Sequence, residues 1–111
     1  MPVSGKYRGF EGFNSDLTDK LDKSDTDLPI HEQHLAVLRG RLADDGDYTY
    51  LVLNDGTQFE VVRVMNHGGF LKLTRGLEET APASFPVGTC VRWELTPAAV
   101  RDIVCQMECC P

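Results

Sequence analysis

Four cysteines, at positions 90, 105, 109 and 110, are the residues of this chain best equipped for chemistry. Thiolates favour Zn²⁺ and iron–sulfur clusters. On a helix Cys105 and Cys109 stand four apart and share a face, within reach of one ion. Cys90 would add a ligand from a preceding strand. Cys110 would complete a tetrahedral set where the chain unwinds near Pro111. Such a site would tie helix to sheet and stabilise a small core. No CxxC pair is present, although that pair is the usual mark of a zinc ribbon or ferredoxin. The alternative reading keeps Cys90 as a small buried hydrophobe and the terminal cysteines as free thiols.

Other reactive residue types form no catalytic pattern. His31 and His34 flank Glu32 at a spacing that would let them touch one ion from a helical turn, but the sequence offers no third ligand. Two polar residues at a strand entrance is the simpler reading, and His67 reads as a polar turn residue. Ser84, in Ala83-Ser84-Phe85, lacks the glycines of a nucleophile elbow. Glu78 and Glu79 diverge in an extended loop, and the glycine pairs lack phosphate-loop spacing. The chain therefore reads as a non-enzyme. Arg75 differs from these. It ends a strand and precedes a glycine and acidic residues, where its rigid fork of donors can clamp carbonyls or carboxylates. Glu78 is the expected partner, with an intersubunit contact as the alternative. Trp93 is expected in the core, or at an interface as an anchor if partly exposed.

The elements that must position these residues come from one small domain of 111 residues. A net charge of -6 leaves no basic footprint for nucleic acid. No apolar run is long enough for a bilayer or a secretion signal. A reducing cytoplasm is the expected folding compartment, with cysteines as thiols or metal ligands rather than disulfides.

Residues 1–33 are rich in Gly and Asp and read as an N-terminal arm, with a short helix over Asp16–Lys23 from the spacing of Leu17 and Leu21. Packing on the domain or a neighbour, or a solvated terminus, are both open for this arm. Residues 34–111 read as a β-rich domain. Five strands are expected over His34–Leu42, Tyr48–Leu53, Thr57–Met65, Phe70–Arg75 and Thr89–Leu95. Asn54-Asp55-Gly56 and Asn66-His67-Gly68-Gly69 supply tight turns. Apolar residues on both faces suit a small antiparallel barrel or sandwich. Thr96-Pro97 opens a C-terminal helix, with Val100, Ile103, Val104 and Met107 expected on its sheet-facing side.

The run Thr74-Arg75-Gly76, Glu78, Thr80-Ala81, a small-residue loop, Gly88-Thr89, a strand and Leu95-Thr96 resembles a module of bacteriophage and prophage tail proteins. The preceding Asn54-Asp55-Gly56-Thr57-Gln58-Phe59-Glu60 hairpin fits the same module, so the resemblance spans residues 35 to 100. Glu79 stands where that module usually has a glycine. The resemblance implies a structural part of the distal tail: baseplate, tail tip or fibre attachment. It implies virion localisation after assembly in the host cytoplasm, contact with other tail proteins, and a homo-oligomeric ring of three- or six-fold symmetry. Arg75, Gly76, Glu78, Thr80, Phe85 and Trp93 are the expected loop and interface residues. A thiolate metal protein and a stand-alone host-binding module are the competing functions.

Overall fold

A computed structural model describes residues 6–108. The chain runs β1 (Asn14–Asp16), α1 (Glu32–Arg41), β2 (Tyr48–Asn54), β3 (Phe59–His67), β4 (Phe70–Leu77), β5 (Cys90–Trp93) and α2 (Pro97–Glu108). The five strands make one antiparallel sheet in the order β1-β5-β2-β3-β4. β1 and β4 are its two edges, so the sheet is open and does not close into a barrel. The mainly β class and the C-terminal helix are as expected from the sequence.

β2 shows how so short a chain buries both faces of a sheet. Successive strand residues point to opposite faces, and residues 49–53 are all buried. Leu51 and Leu53 join Val62, Val64, Leu73 and Val91 on one face, covered by Phe10, Leu17, Leu21, Leu28, Ile30, Leu38, Leu42 and Phe85. Tyr50 and Val52 join Val61 on the other face, covered by Tyr7, Ala98 and Ala99. The result is three layers: the N-terminal segment with α1, the sheet, and α2.

Two expected elements are replaced. His34–Leu42 is not a strand; Glu32–Arg41 is α1. Leu35, Leu38 and Leu42 recur at i, i+3 and i+7, and Leu38 and Leu42 are fully buried. Helical burial of these leucines overrides the weak propensity of Gly40. Asp16–Lys23 is not a helix. Leu17 N donates to Thr89 O at 3.0 Å and Leu21 N to Phe85 O at 2.9 Å, so these amides bond a neighbouring segment instead of the residue four back. The first of the five strands is therefore Asn14–Asp16, paired with β5.

From residue 6 onward the arm lies against the domain. The buried Asp47 carboxylate fastens it, accepting from Lys6 N at 2.9 Å, Arg8 Nε at 3.3 Å and Asp44 N at 3.2 Å.

α2 begins as expected, with Thr96 Oγ1 accepting from Ala99 N at 3.1 Å. Its rotation differs from expectation. Ala98 and Ala99 face the sheet with Asp102 and Ile103, while Val100 and Val104 are each 44% exposed. Two small alanines let the helix approach closely, and Asp102 is then drawn inward by tyrosine hydroxyls. The side chain of Met107 lies outside the described residues.

Candidate functional site

The loop of residues 76–88 is shaped by one irregularity in the sheet. Val61 pairs with Leu77 and Arg63 with Thr74, so β4 carries one extra residue opposite Val62. The extra residue is accommodated by Gly76, at φ 64°, as in a β-bulge. Its effect is to keep Arg75 on the Leu73 face while returning Leu77 to the Val61 face, where it packs. A Cβ at position 76 would sit 2.6 Å from Pro82 Cδ, so both the conformation and the close approach require glycine.

Arg75 thereby meets Glu60, not the expected Glu78. Arg75 Nε and Nη2 donate to the two Glu60 oxygens at 2.8 and 2.9 Å. Nη2 also donates to Ala83 O at 2.6 Å, and Nη1 to Asp22 O and Asp25 O at 2.6 and 2.9 Å. All five guanidinium protons are used. Glu60 in turn accepts from Gly76 N at 2.8 Å and Ala83 N at 2.9 Å. The Glu60 side chain is fully buried and that of Arg75 is 7% exposed. Burial pushes the Glu60 carboxyl up, but Arg75 and the N–H groups of Ala83 and Gly76 outweigh it and hold its pKa below the ordinary value. One ion pair thus joins β3, β4, the loop and residues 22–25 of the N-terminal segment.

The rest of the loop is fixed from inside. Thr80 Oγ1 donates to Leu77 O at 2.6 Å and accepts from Val61 N at 3.1 Å. Phe85, expected at an interface, is buried in the main core. Glu78 and Glu79 both adopt left-handed backbone, at φ 51° and 66°, a conformation disfavoured for side chains with a Cβ. The residue that stands in place of glycine therefore takes glycine's conformation. Glu78 Oε1 accepts from Ala98 N at 3.3 Å, so its role is to cap α2.

On the opposite face an aromatic group docks α2. Tyr48 and Tyr50 hydroxyls both donate to Asp102 Oδ2, at 2.7 and 2.8 Å. Arg101 Nε holds Asp102 Oδ1 at 3.1 Å. Burial and the neighbouring carboxylate push the Tyr50 hydroxyl up to about 12 and that of Tyr48 higher. Burial raises the Asp102 carboxyl, yet the two tyrosine hydroxyls and Arg101 bring it below the ordinary aspartate value. Trp93 is half-buried and donates from Nε1 to Tyr7 Oη at 2.8 Å. Gln106 bonds the Tyr7 backbone through both ends of its amide.

The cysteine corner is not assembled as expected. Cys90 pairs with Asn54 at one end of β2, whereas Asp102 and Gln106 bring the far end of α2 to Tyr48 and Tyr7 at the other end. Six residue steps of β2 separate those ends, roughly 20 Å. Cys90 is an exposed free thiol rather than a buried hydrophobe. Cys105 is disulfide-bonded, so in this form its sulfur is not a thiolate. Cys109 and Cys110 lie outside the described residues. Among the described residues no three His, Cys, Asp or Glu side chains are grouped to hold a metal ion.

His34 Nδ1 and Ser15 Oγ share a hydrogen bond of 2.6 Å that ties α1 to β1, and His31 Nε2 lies 3.4 Å from Asp16 Oδ1. Ser15 is buried. No helix of the described residues is long and apolar enough to cross a membrane. Glu60, Tyr48, Tyr50 and Asp102 were not singled out in the sequence. The signal for Glu60 is its place opposite the Arg75-Gly76 bulge, which only the strand register discloses.

Comparison with protein-family models, with curated proteins and with solved structures finds no match.

Proposed function

We propose that this chain is a structural component of a bacteriophage tail, at the baseplate, tip or fibre attachment, which assembles in several copies. The observation that carries this reading is the Glu60–Arg75 ion pair beneath an exposed loop. Ala81, Pro82, Ser84, Pro86, Val87 and Gly88 face solvent, while Arg75, Thr80 and Phe85 hold the same loop from within. A surface ordered before contact loses little entropy on binding, which suits a part that must fit identical neighbours. Two successive strained glutamates are the sort of local cost found in segments selected for contact rather than for stability. The resemblance over residues 35–100 names the assembly.

The partners on this reading are further copies in a ring and the adjacent baseplate or tip proteins. A tagged chain co-expressed with the products of its neighbouring genes tests it. Recovery of tail proteins on the tag is expected. Recovery of none, from neighbours that are themselves soluble, would overturn the reading.

A further inference from the structure

The last turns of α2 carry two neighbouring features: the disulfide-bonded sulfur of Cys105 and the side-chain amide of Gln106. Cys90 is a free thiol, so the sulfur bonded to Cys105 lies outside the described residues. Cys105 itself is only half-buried. A disulfide in such a position is open to attack by a thiolate, whereas an enclosed one is not.

Gln106 completes the backbone bonding of Tyr7. Lys6 O accepts from Tyr48 N at 3.0 Å, and Arg8 N donates to Tyr48 O at 2.9 Å. The intervening Tyr7 therefore turns its own N–H and C=O away from β2. Gln106 Oε1 accepts from that N–H at 2.6 Å, and Gln106 Nε2 donates to that C=O at 3.4 Å. No other group among the described residues bonds them. One side chain of α2 stands in for a missing neighbouring strand.

Little else fixes this end of the helix. The last four carbonyls of a helix lack intrahelical donors, and helix ends fray. Upstream, Thr96 and Glu78 cap the start of α2, Asp102 holds two tyrosine hydroxyls, and Ile103 packs against the sheet. Val104, the next residue, is 44% exposed. Beyond it, the contacts of the described residues are those of Gln106 and the Cys105 sulfur.

We propose that the Cys105 disulfide is a redox latch on the N-terminal arm. Closed, it holds the end of α2 so that Gln106 grips the Tyr7 backbone. Opened, it lets that end fray and releases Tyr7 N and O. Opening takes a dithiol reductant. One of its thiolates attacks the disulfide and forms a mixed disulfide; its second thiolate then closes the reductant's own disulfide. Two electrons and two protons pass to the chain, and Cys105 and its partner sulfur end as thiols. A disulfide oxidant reverses the exchange. The Tyr7 ring keeps its contacts with Tyr48, Tyr50 and Trp93, so the change is confined to the arm's backbone and the end of α2. The latch acts within one chain and needs no neighbouring copy.

Thiol titration and amide hydrogen exchange by NMR test this on the full chain, purified without reductant and then treated with dithiothreitol. One disulfide occupies two of the four cysteines, so two thiols are expected before reduction and four after it. The Tyr7 amide is expected to exchange at least about tenfold faster after reduction, as a local opening would allow. Amides of Leu51 and Val62, paired in mid-sheet, should not change. Cys105→Ser should show fast Tyr7 exchange with or without reductant. Gln106→Ala should show it before reduction, and reduction should add nothing further. Cys90→Ser should keep the full response.

Four titratable thiols before reduction would overturn the latch. So would a Tyr7 exchange rate unchanged by complete reduction, or a Gln106→Ala chain that still speeds up on reduction. A response lost in Cys90→Ser would assign the effect to the other thiol and overturn it equally.

Discussion

Arg75→Met is expected to destabilise the chain by about 3–5 kcal/mol, the cost of leaving one member of a buried ion pair without its partner. The figure follows from the burial of Glu60, fully enclosed, and of the Arg75 side chain, 7% exposed. Glu60 would keep only the N–H groups of Gly76 and Ala83. The carbonyls of Asp25 and Ala83 would lose the Arg75 donor, and that of Asp22 would keep only Asp25 N. Urea unfolding followed by Trp93 fluorescence measures the effect. With a slope of about 2 kcal/mol/M, the midpoint should fall by about 2 M at constant slope. Glu60→Met should cost a similar amount. The Glu60→Met/Arg75→Met double variant should cost far less than the sum of the singles, because no uncompensated charge remains. The pH dependence has a definite sign. The Glu60 pKa is depressed in the folded chain, so its contribution is present above the ordinary glutamate pKa and is lost as pH falls through the folded value. A single-variant cost below about 1 kcal/mol, in the range of an exposed pair, or additive costs in the double variant would show that Glu60 and Arg75 are not a mutually dependent buried pair.

The loop and the helix dock give further tests. Gly76→Ala should destabilise by at least about 1–3 kcal/mol, since it combines a φ of 64° with a Cβ 2.6 Å from Pro82; calorimetry reads this as a lower Tm. Glu79→Gly should raise Tm slightly by relieving a left-handed residue, whereas Glu78→Gly should not, because it also removes the cap on Ala98 N. Asp102→Ala should bring the Tyr50 titration down from about 12 towards the ordinary tyrosine value, seen in ultraviolet absorbance against pH. The raised tyrosine pKa values contribute stability that is complete below the ordinary tyrosine range. That contribution is lost as pH rises through the folded values, so wild type and Asp102→Ala should converge in stability in strong alkali.

Strands β2 to β5 and α2 were readable from alternation, turn glycines and the Thr96-Pro97 start, within two or three residues at most ends. The region 34–42 misled because Leu35 and Val37 alternate like a strand over a short window, while Leu35, Leu38 and Leu42 also fit a helix. Only the surface available for burial decides between the two periods. The four-residue spacing of Leu17 and Leu21 suggests one face of a helix, but the backbone partners that make them extended, Thr89 and Phe85, lie more than 60 residues away. Arg75 was legible as a clamp from its residue type and the following glycine. Its partner was not, because a bulge resets the register and brings in Glu60 instead of the nearby Glu78. The rotation of α2 escaped pattern reading for a related reason. Apolar periodicity favoured Val100 and Val104 inward, and two tyrosine hydroxyls waiting for Asp102 turned the helix the other way.

On the proposed function this chain works as an assembled part. Light scattering coupled to size exclusion, on the purified chain alone and after co-expression with its neighbouring gene products, tests that most directly. A discrete multiple of the 12.3 kDa chain, in threes or sixes, or a stable complex with a neighbour is expected. A mass of 12.3 kDa in both preparations, up to millimolar concentration, would contradict it.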